Sequence, residues 1–456
     1  MRYFLSMVCR GISSLILLLA LTSMSAQATT IEFWTAQTQT DRLNTIHLLT
    51  STFSALHPNI TIHVVPVDEN EMAQQLAAAS ASKTLPQVIE VNSEIIMAIG
   101  QQGISDTQSM QQSVQQIGLK RFLPGVVTML QGRHRQQFGI PFHGWVQGIW
   151  YRKDWFKEHH LAAPDNWQHI LAAAKALNRP QDNRYGILVG TKIDSYAEQV
   201  FTQLALSNNA QEFNSKGQLV FNSPAMLETL KFYRQLAAYT PPGPQTWRAR
   251  DYYLQGKLGM FFYSTFIMDD LALAEVAKNS LSADHFKDLR GGSFDPTLVK
   301  NTGFIATINH RSAASYGTLS GLVALKTTPQ QAAATRQFIQ FLYQPASYIT
   351  FLHMAPGGMN PVLQGIANQA SFLNDPNGVM KLYDPQQLTQ ILGGLSHIRS
   401  FSLVDGKTIP VSGTIFAKQI IPKMIYRTTI EKMPAKQSLD IATTQIQQLL
   451  RQAQNK

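Results

Sequence analysis

Cysteine is almost missing: the 456-residue chain has one, Cys9. A lone thiol excludes an internal disulfide framework, a Cys-based zinc site and a Cys-ligated iron–sulfur cluster. Charge is also sparse, with 14% Asp, Glu, Lys and Arg against 44% hydrophobic residues. That balance, without any long biased tract, excludes disorder and fibrous repeats. No G-x-S-x-G elbow, H-E-x-x-H pair or Walker loop occurs, so no motif-defined nucleophile, metal or nucleotide site is visible. Acidic residues are too scattered to nominate a glycosidase pair. No basic block interleaved with aromatics points to nucleic acid, and beyond the first residues no apolar run suffices to cross a bilayer.

What is present begins with an N-terminal signature. Arg2 and Arg10 precede the apolar run Ile12 to Leu21, which is followed by the small-x-small triplet Ala26, Gln27, Ala28. This predicts an export signal over 1–28, cleaved after Ala28. About ten apolar residues fall short of the ~20 that span a membrane. Without Arg2 and Arg10, 36 Lys and Arg stand against 28 acids, a formal charge of +8. Such a balance favours solubility and draws in anionic solutes.

The remaining length suits two or three structural units. Short apolar runs alternate with amphipathic stretches, the pattern of α/β units. Thr30 to Thr35 reads as a strand; Leu43, Ile46, Leu49, Phe53 and Leu56 follow at helical spacing, with Asp41 as cap or first-turn acid and a stop at His57-Pro58. Ile60, Ile62 and Val64 alternate as a second strand, Glu69 to Ser80 reads as a helix, and Val88 to Val91 as a third strand. Ile149 to Arg152 reads as a strand, Trp155 to His160 as a short helix, and Trp167 to Leu177 as a helix capped by Asn166.

The ordered series Phe33-Trp34, Phe138-Gly139-Ile140-Pro141, Tyr151 to Phe156, Pro164 to Trp167, Gln255 to Met260 and Pro356 to Pro361 resembles the extracellular solute-binding proteins of carbohydrate ABC importers. Within that family the chain looks most like the glycerol-3-phosphate binders, through Leu85 to Ile89 with Glu90 and Glu94, the Phe142 loop, and Leu395 to Ile421 with Arg399. It departs from them at Arg152 and at His143-Gly144-Trp145, which replaces a serine-rich turn. The resemblance implies a maltose-binding-protein-like fold of type II: two α/β lobes joined by three crossovers, closing over a solute. The first lobe would hold 29–141 and 318–355, the second 142–317 and 356–456. Gly139, Pro141 and Gly144 then stand at a hinge or in an ordinary turn. The function implied is that of a periplasmic, monomeric receptor delivering a sugar or polyol phosphate to membrane permease subunits, with no cofactor and no turnover of its own.

A sugar site needs flat apolar faces and polar groups for hydroxyls. Trp34, Trp145 and Trp247, the last beside Pro241-Pro242-Gly243-Pro244, are candidate faces, whereas Trp150, Trp155 and Trp167 read as core. Tyr263, Ser264 and Thr265 close a strand that the resemblance carries into the cleft. Gly317 and Gly358 could present backbone N–H groups, Glu94 could accept a hydroxyl, and Arg399 could fork onto a phosphate. The alternatives are a ferric-ion binder, from Tyr252-Tyr253 and His159-His160, and a secreted carbohydrate-active enzyme.

Overall fold

The structure, a computed structural model, describes residues 28–404 and 407–454. The expected export segment thus lies outside the described residues except for its last position. Strand β1 (Thr29–Thr35), helix α1 (Thr40–Leu56), β2 (Ile60–Pro66), α2 (Glu69–Ser82), β3 (Val88–Asn92) and α3 (Ser93–Gln101) open the chain. β2 and β3 flank β1 in parallel, with Phe33 opposite both Val64 and Val88. Asp41 is a first-turn acid and not the cap, which falls at Gln39.

The long strand β4 (Ile140–Arg152) follows, then α4 (Trp167–Leu177), β5 (Tyr185–Leu188), α5 (Ser195–Ser207) and β6 (Leu258–Ser264). The Asn166 side chain accepts from His169 N–H and caps α4. Next come α6 (Ile267–Ala272), β7 (Thr302–Ile305), β8 (Thr307–Asn309), β9 (Ala313–Ala324), α7 (Pro329–Leu342) and α8 (Val411–Ala417).

The sheet runs β2-β1-β3-β9-β4-β6-β5. One end of β9, Ser320 to Ala324, pairs with β3, while one end of β4, Gln147 to Tyr151, pairs with β6. At ~3.3 Å per residue each of these long strands extends about 40 Å and serves both lobes. The sequence reading, a short strand from Ile149, is corrected here: β4 begins nine residues earlier, and Gly144 is a strand residue. A Cβ at Gly144 would lie 3.0 Å from Thr318 O, so glycine permits the close approach of β4 to β9. The register slips between Pro141 and His143.

Trp150 and Trp167 are buried, and Trp155 is half-buried beneath the guanidinium groups of Arg152 and Arg184. Among the described residues no helix is long and apolar enough to cross a membrane.

Candidate functional site

The carboxyl ends of β1, β3 and β6 face one cavity of about 210 Å³. That size lies below the ~300 Å³ where pockets for drug-sized molecules begin, so it suits a small solute. Strands of an open α/β sheet leave their last residues and following loops free for ligands, and this cavity is built that way. Gln37 follows β1, Asn92 ends β3, and Tyr263 and Ser264 end β6. His143 and Trp145 enter from β4, Ser195, Tyr196 and Gln199 from α5, and Glu69 and Asn70 from α2.

Aromatic faces alternate with polar groups around the wall. Trp145, Trp247, Tyr263 and Phe266 all line it. Arg250 lies 4.9 Å from the Trp247 ring centroid, and Arg42 lies 5.1 Å from that of Phe266. These cation–π contacts hold the rings in place.

Each of these arginines lies beside a carboxyl group. Arg250 Nη1 donates to Asp270 Oδ2 at 3.0 Å, and Arg42 Nη2 stands 3.7 Å from Asp269 Oδ2 while Nη1 donates to Gln37 at 3.1 Å. The Nε of each has no partner among the described residues. Burial, with Asp270 alongside, pushes the Asp269 carboxyl up to about 7. Burial disfavours the charge on Arg250, but the surrounding aspartates hold its guanidinium more firmly protonated than usual. Burial pushes the Tyr263 phenol up to about 12, so it is a neutral donor.

Behind this wall His143 Nε2 meets Glu90 Oε1 at 3.0 Å, both side chains fully enclosed, and Thr35 donates to Glu90 Oε2 at 2.7 Å. Burial would raise the Glu90 carboxyl; the bond and charge of His143, with Thr35 and Gln37, hold it below the usual range. His143 Nδ1 has no partner among the described residues.

Of the residues nominated from sequence, Trp145, Trp247, Tyr263 and Ser264 come together on this wall. The others lie elsewhere. Trp34 is buried in the first lobe, its indole N–H donating to Glu32. Thr265 is fully buried, and its backbone N–H donates to Val146 O at 2.9 Å. A Cβ on Gly317 would fall 2.4 Å from Trp145 O, and one on Gly358 2.4 Å from the Phe266 ring, so both glycines are closed in by packing. Arg399 Nη1 donates to Ala313 O at 3.3 Å and Ser312 Oγ at 3.4 Å, away from the cavity. Glu94 lines a smaller neighbouring cavity.

Tyr252 donates to Asp288 at 2.8 Å, Tyr253 shares a bond with Thr302, and both are buried. Among the described residues no group of three or more His, Cys, Asp and Glu could hold a metal ion.

Gln37, Arg42, Glu69, Asn92, His143, Gln199 and Arg250 escaped the sequence reading. One available signal was the polar stretch Gln37-Thr38-Gln39-Thr40 directly after β1, where α/β sheets place their ligands. The side chains on α2 and α5 carried no such mark.

Residues 32–349 match the family of bacterial extracellular solute-binding proteins. The chain is 28% identical over 425 residues to the "Putative ABC transporter periplasmic-binding protein YcjN" of Escherichia coli (strain K12); the match covers 92% of this chain and 93% of that protein. The fold is similar to that of a solute-binding protein from Agrobacterium radiobacter K84 in complex with ribitol, at a TM-score of 0.73 and 16% identity over 93% of this chain and 99% of that one. It is similar also to UgpB from Mycobacterium tuberculosis in complex with glycerophosphocholine, at a TM-score of 0.69 and 16% identity over 93% and 98%. The two-lobe fold is maltose-binding-protein-like, as the sequence led us to expect. With 318 of its 456 residues spanned by the family match, the chain belongs to the bacterial extracellular solute-binding proteins.

Proposed function

We propose that the chain is the periplasmic receptor of an ABC importer, closing its lobes over a small sugar or polyol and delivering it to membrane permease subunits. The lobes are taken as 29–141 with 318–355 and 142–317 with 356–456, and the receptor as a monomer with no turnover of its own. The importer reading is supported by the likeness to YcjN over nearly the whole chain.

The observation that carries the choice of solute is the ion pair of Arg250 with Asp270, with Asp269 beside Arg42. A phosphate needs a cation with charge to spare. This wall instead presents ring faces beside amides, hydroxyls and matched charges, which suits the C–H faces and hydroxyls of an uncharged solute. Trp145, Trp247, Tyr263 and Ser264 are the contacts we propose, with Gln37, Asn92 and Gln199 meeting hydroxyls.

A thermal-shift screen over ribitol, neutral sugars, glycerol 3-phosphate and glycerophosphocholine tests the reading. A solute at a hundred times its Kd stabilises the folded protein by about 2.7 kcal/mol. Uncharged polyols or sugars are expected to give the shift. A flat response across every class would refute the receptor reading, and a response to the phosphates alone would refute the uncharged solute.

A further inference from the structure

Beside the solute cavity lies a set of spaces that capture of a sugar does not use. Glu69, Asn70 and Ser195 line both the main cavity and a second of about 30 Å³; Glu198 lines that one and a third of about 20 Å³. Each is on the scale of one or two waters. The third is walled by Glu94, Glu198, Glu212, Tyr316 and Ser412.

The carboxyls come from different elements. Glu69 opens α2, Glu94 lies in the first turn of α3, Glu198 in the first turn of α5, and Glu212 in the segment after α5. Glu198 is 5% exposed and Glu212 1%, and the Oε2 of each has no partner among the described residues.

Nothing positive compensates them. Among the described residues no ion pair includes any of the four. The groups that act on them are one another, Tyr316 from β9, and neutral groups: Asn92 donates to Glu69, Ser93 and Thr318 donate to Glu94, and Ser412 of α8, whose hydroxyl donates to Phe401 O, lies beside Glu212. Glu90 of β3 and Asp68, which caps α2, add only more negative charge beside Glu69.

Several unpaired carboxylates in so dry a space are far more costly than their neutral forms. Burial pushes Glu94 up to about 7 and Glu212 to about 8, and raises Glu198 well above the carboxylate range.

We propose that this cluster is a proton-binding site coupled to closure of the lobes, so that solute capture and proton uptake occur together. The coupling rests on the closing-receptor reading above. Glu69 and Glu94 ride on helices that follow β2 and β3, while Glu198 and Glu212 belong to the α5 region, joined to α2 by the Ser195 hydroxyl donating to Asn70 at 3.2 Å. Parting α2 and α3 from α5 admits water and returns each carboxyl to its ordinary range, near 4.3.

The sign follows. Closure raises these pKa values, so it takes up protons between the open-state value near 4.3 and the closed-state values of about 7 and 8. Within that window affinity falls as pH rises, by up to tenfold per pH unit for each coupled proton.

The test is calorimetric titration with ribitol at pH 5.5, 6.5 and 7.5, in two buffers of different ionisation heat at each pH. Wild type is expected to show a Kd at least threefold weaker at pH 7.5 than at 5.5, with net proton uptake. Glu198→Gln and Glu212→Gln, which keep the neutral shape, should each flatten the slope. Equal heats in both buffers and a flat Kd overturn the proposal.

Thermal unfolding of the closed, ribitol-saturated protein keeps the two readings apart. Its midpoint should fall from pH 5.5 to 7.5 in wild type, and less so in either variant. A fall of equal size in all three proteins overturns the proton site, and a wild-type-specific fall without pH-dependent ribitol affinity overturns the coupling. If neither ribitol nor any other solute of the screen binds at any pH, the receptor reading fails instead.

Discussion

Replacing Arg250 by methionine tests the charge-matching on which the choice of solute depends. Arg250 and Asp270 are 6% and 1% exposed and meet at 3.0 Å. In Arg250→Met the Asp270 carboxylate keeps a hydroxyl from Ser280 at 3.3 Å, but it loses its direct cation and lies beside another buried acid, Asp269. Removing one partner of a buried pair typically costs about 3–5 kcal/mol, because the charge that remains is uncompensated. We expect about 3 kcal/mol, since Ser280 and the more distant Arg42 still act on Asp270. Arg250→Met with Asp270→Asn, which removes both charges, should recover more than half of that loss.

The pH dependence provides an independent check. Burial already raises Asp270, and without Arg250 it rises further. A carboxyl raised in the folded state lowers stability as pH climbs from its unfolded value near 3.9 towards the folded one. The single variant's deficit should therefore be larger at pH 8 than at pH 5, while the double variant's is flat. Urea unfolding followed by both tryptophan fluorescence and circular dichroism measures this. Equal losses in the single and double variants, or a deficit that shrinks towards pH 8, would refute the reasoning.

Small-angle scattering should show a smaller radius of gyration with ribitol than without it; an unchanged radius at saturating ribitol contradicts lobe closure on capture. Solute binding should shift intrinsic fluorescence through Trp145 and Trp247, and a variant with both changed to Phe that keeps the whole shift removes them from the site. Arg399→Ala should leave affinity for ribitol and for glycerol 3-phosphate unchanged, because its guanidinium bonds Ser312 and Ala313; a loss confined to the phosphate would restore the phosphate-binding reading. Gly413→Ala should cost about 1–3 kcal/mol in urea unfolding. Its Cβ would lie 2.6 Å from Glu94 O and 2.8 Å from Ala98 N, in backbone that has no room to yield.

Local order was legible in the sequence because it depends on near neighbours in the chain. Alternation at Ile60, Ile62 and Val64, helical spacing from Leu43 to Leu56, and Asn166 ahead of Trp167 are short-range signals, and the β1-α1-β2-α2-β3 series follows them closely. The length of β4 was not legible: His143 and Gly144 look like a turn until β9 lies alongside and needs a position without a Cβ. For the site, sequence could nominate aromatic and hydroxyl residues at the ends of apolar runs. Of these, Trp145, Tyr263 and Ser264, which end or enter strands, and Trp247 in its loop line the cavity. Trp34 carries the same residue type at the same kind of strand end, yet the pleat turns its ring into the core of the first lobe. Only the tertiary structure decided which charges meet. Arg42 and Asp269 are 227 positions apart in the chain, and Glu94 and Glu198 are 104 apart. No local pattern marks such pairs, because their energies arise from water excluded when distant segments pack together.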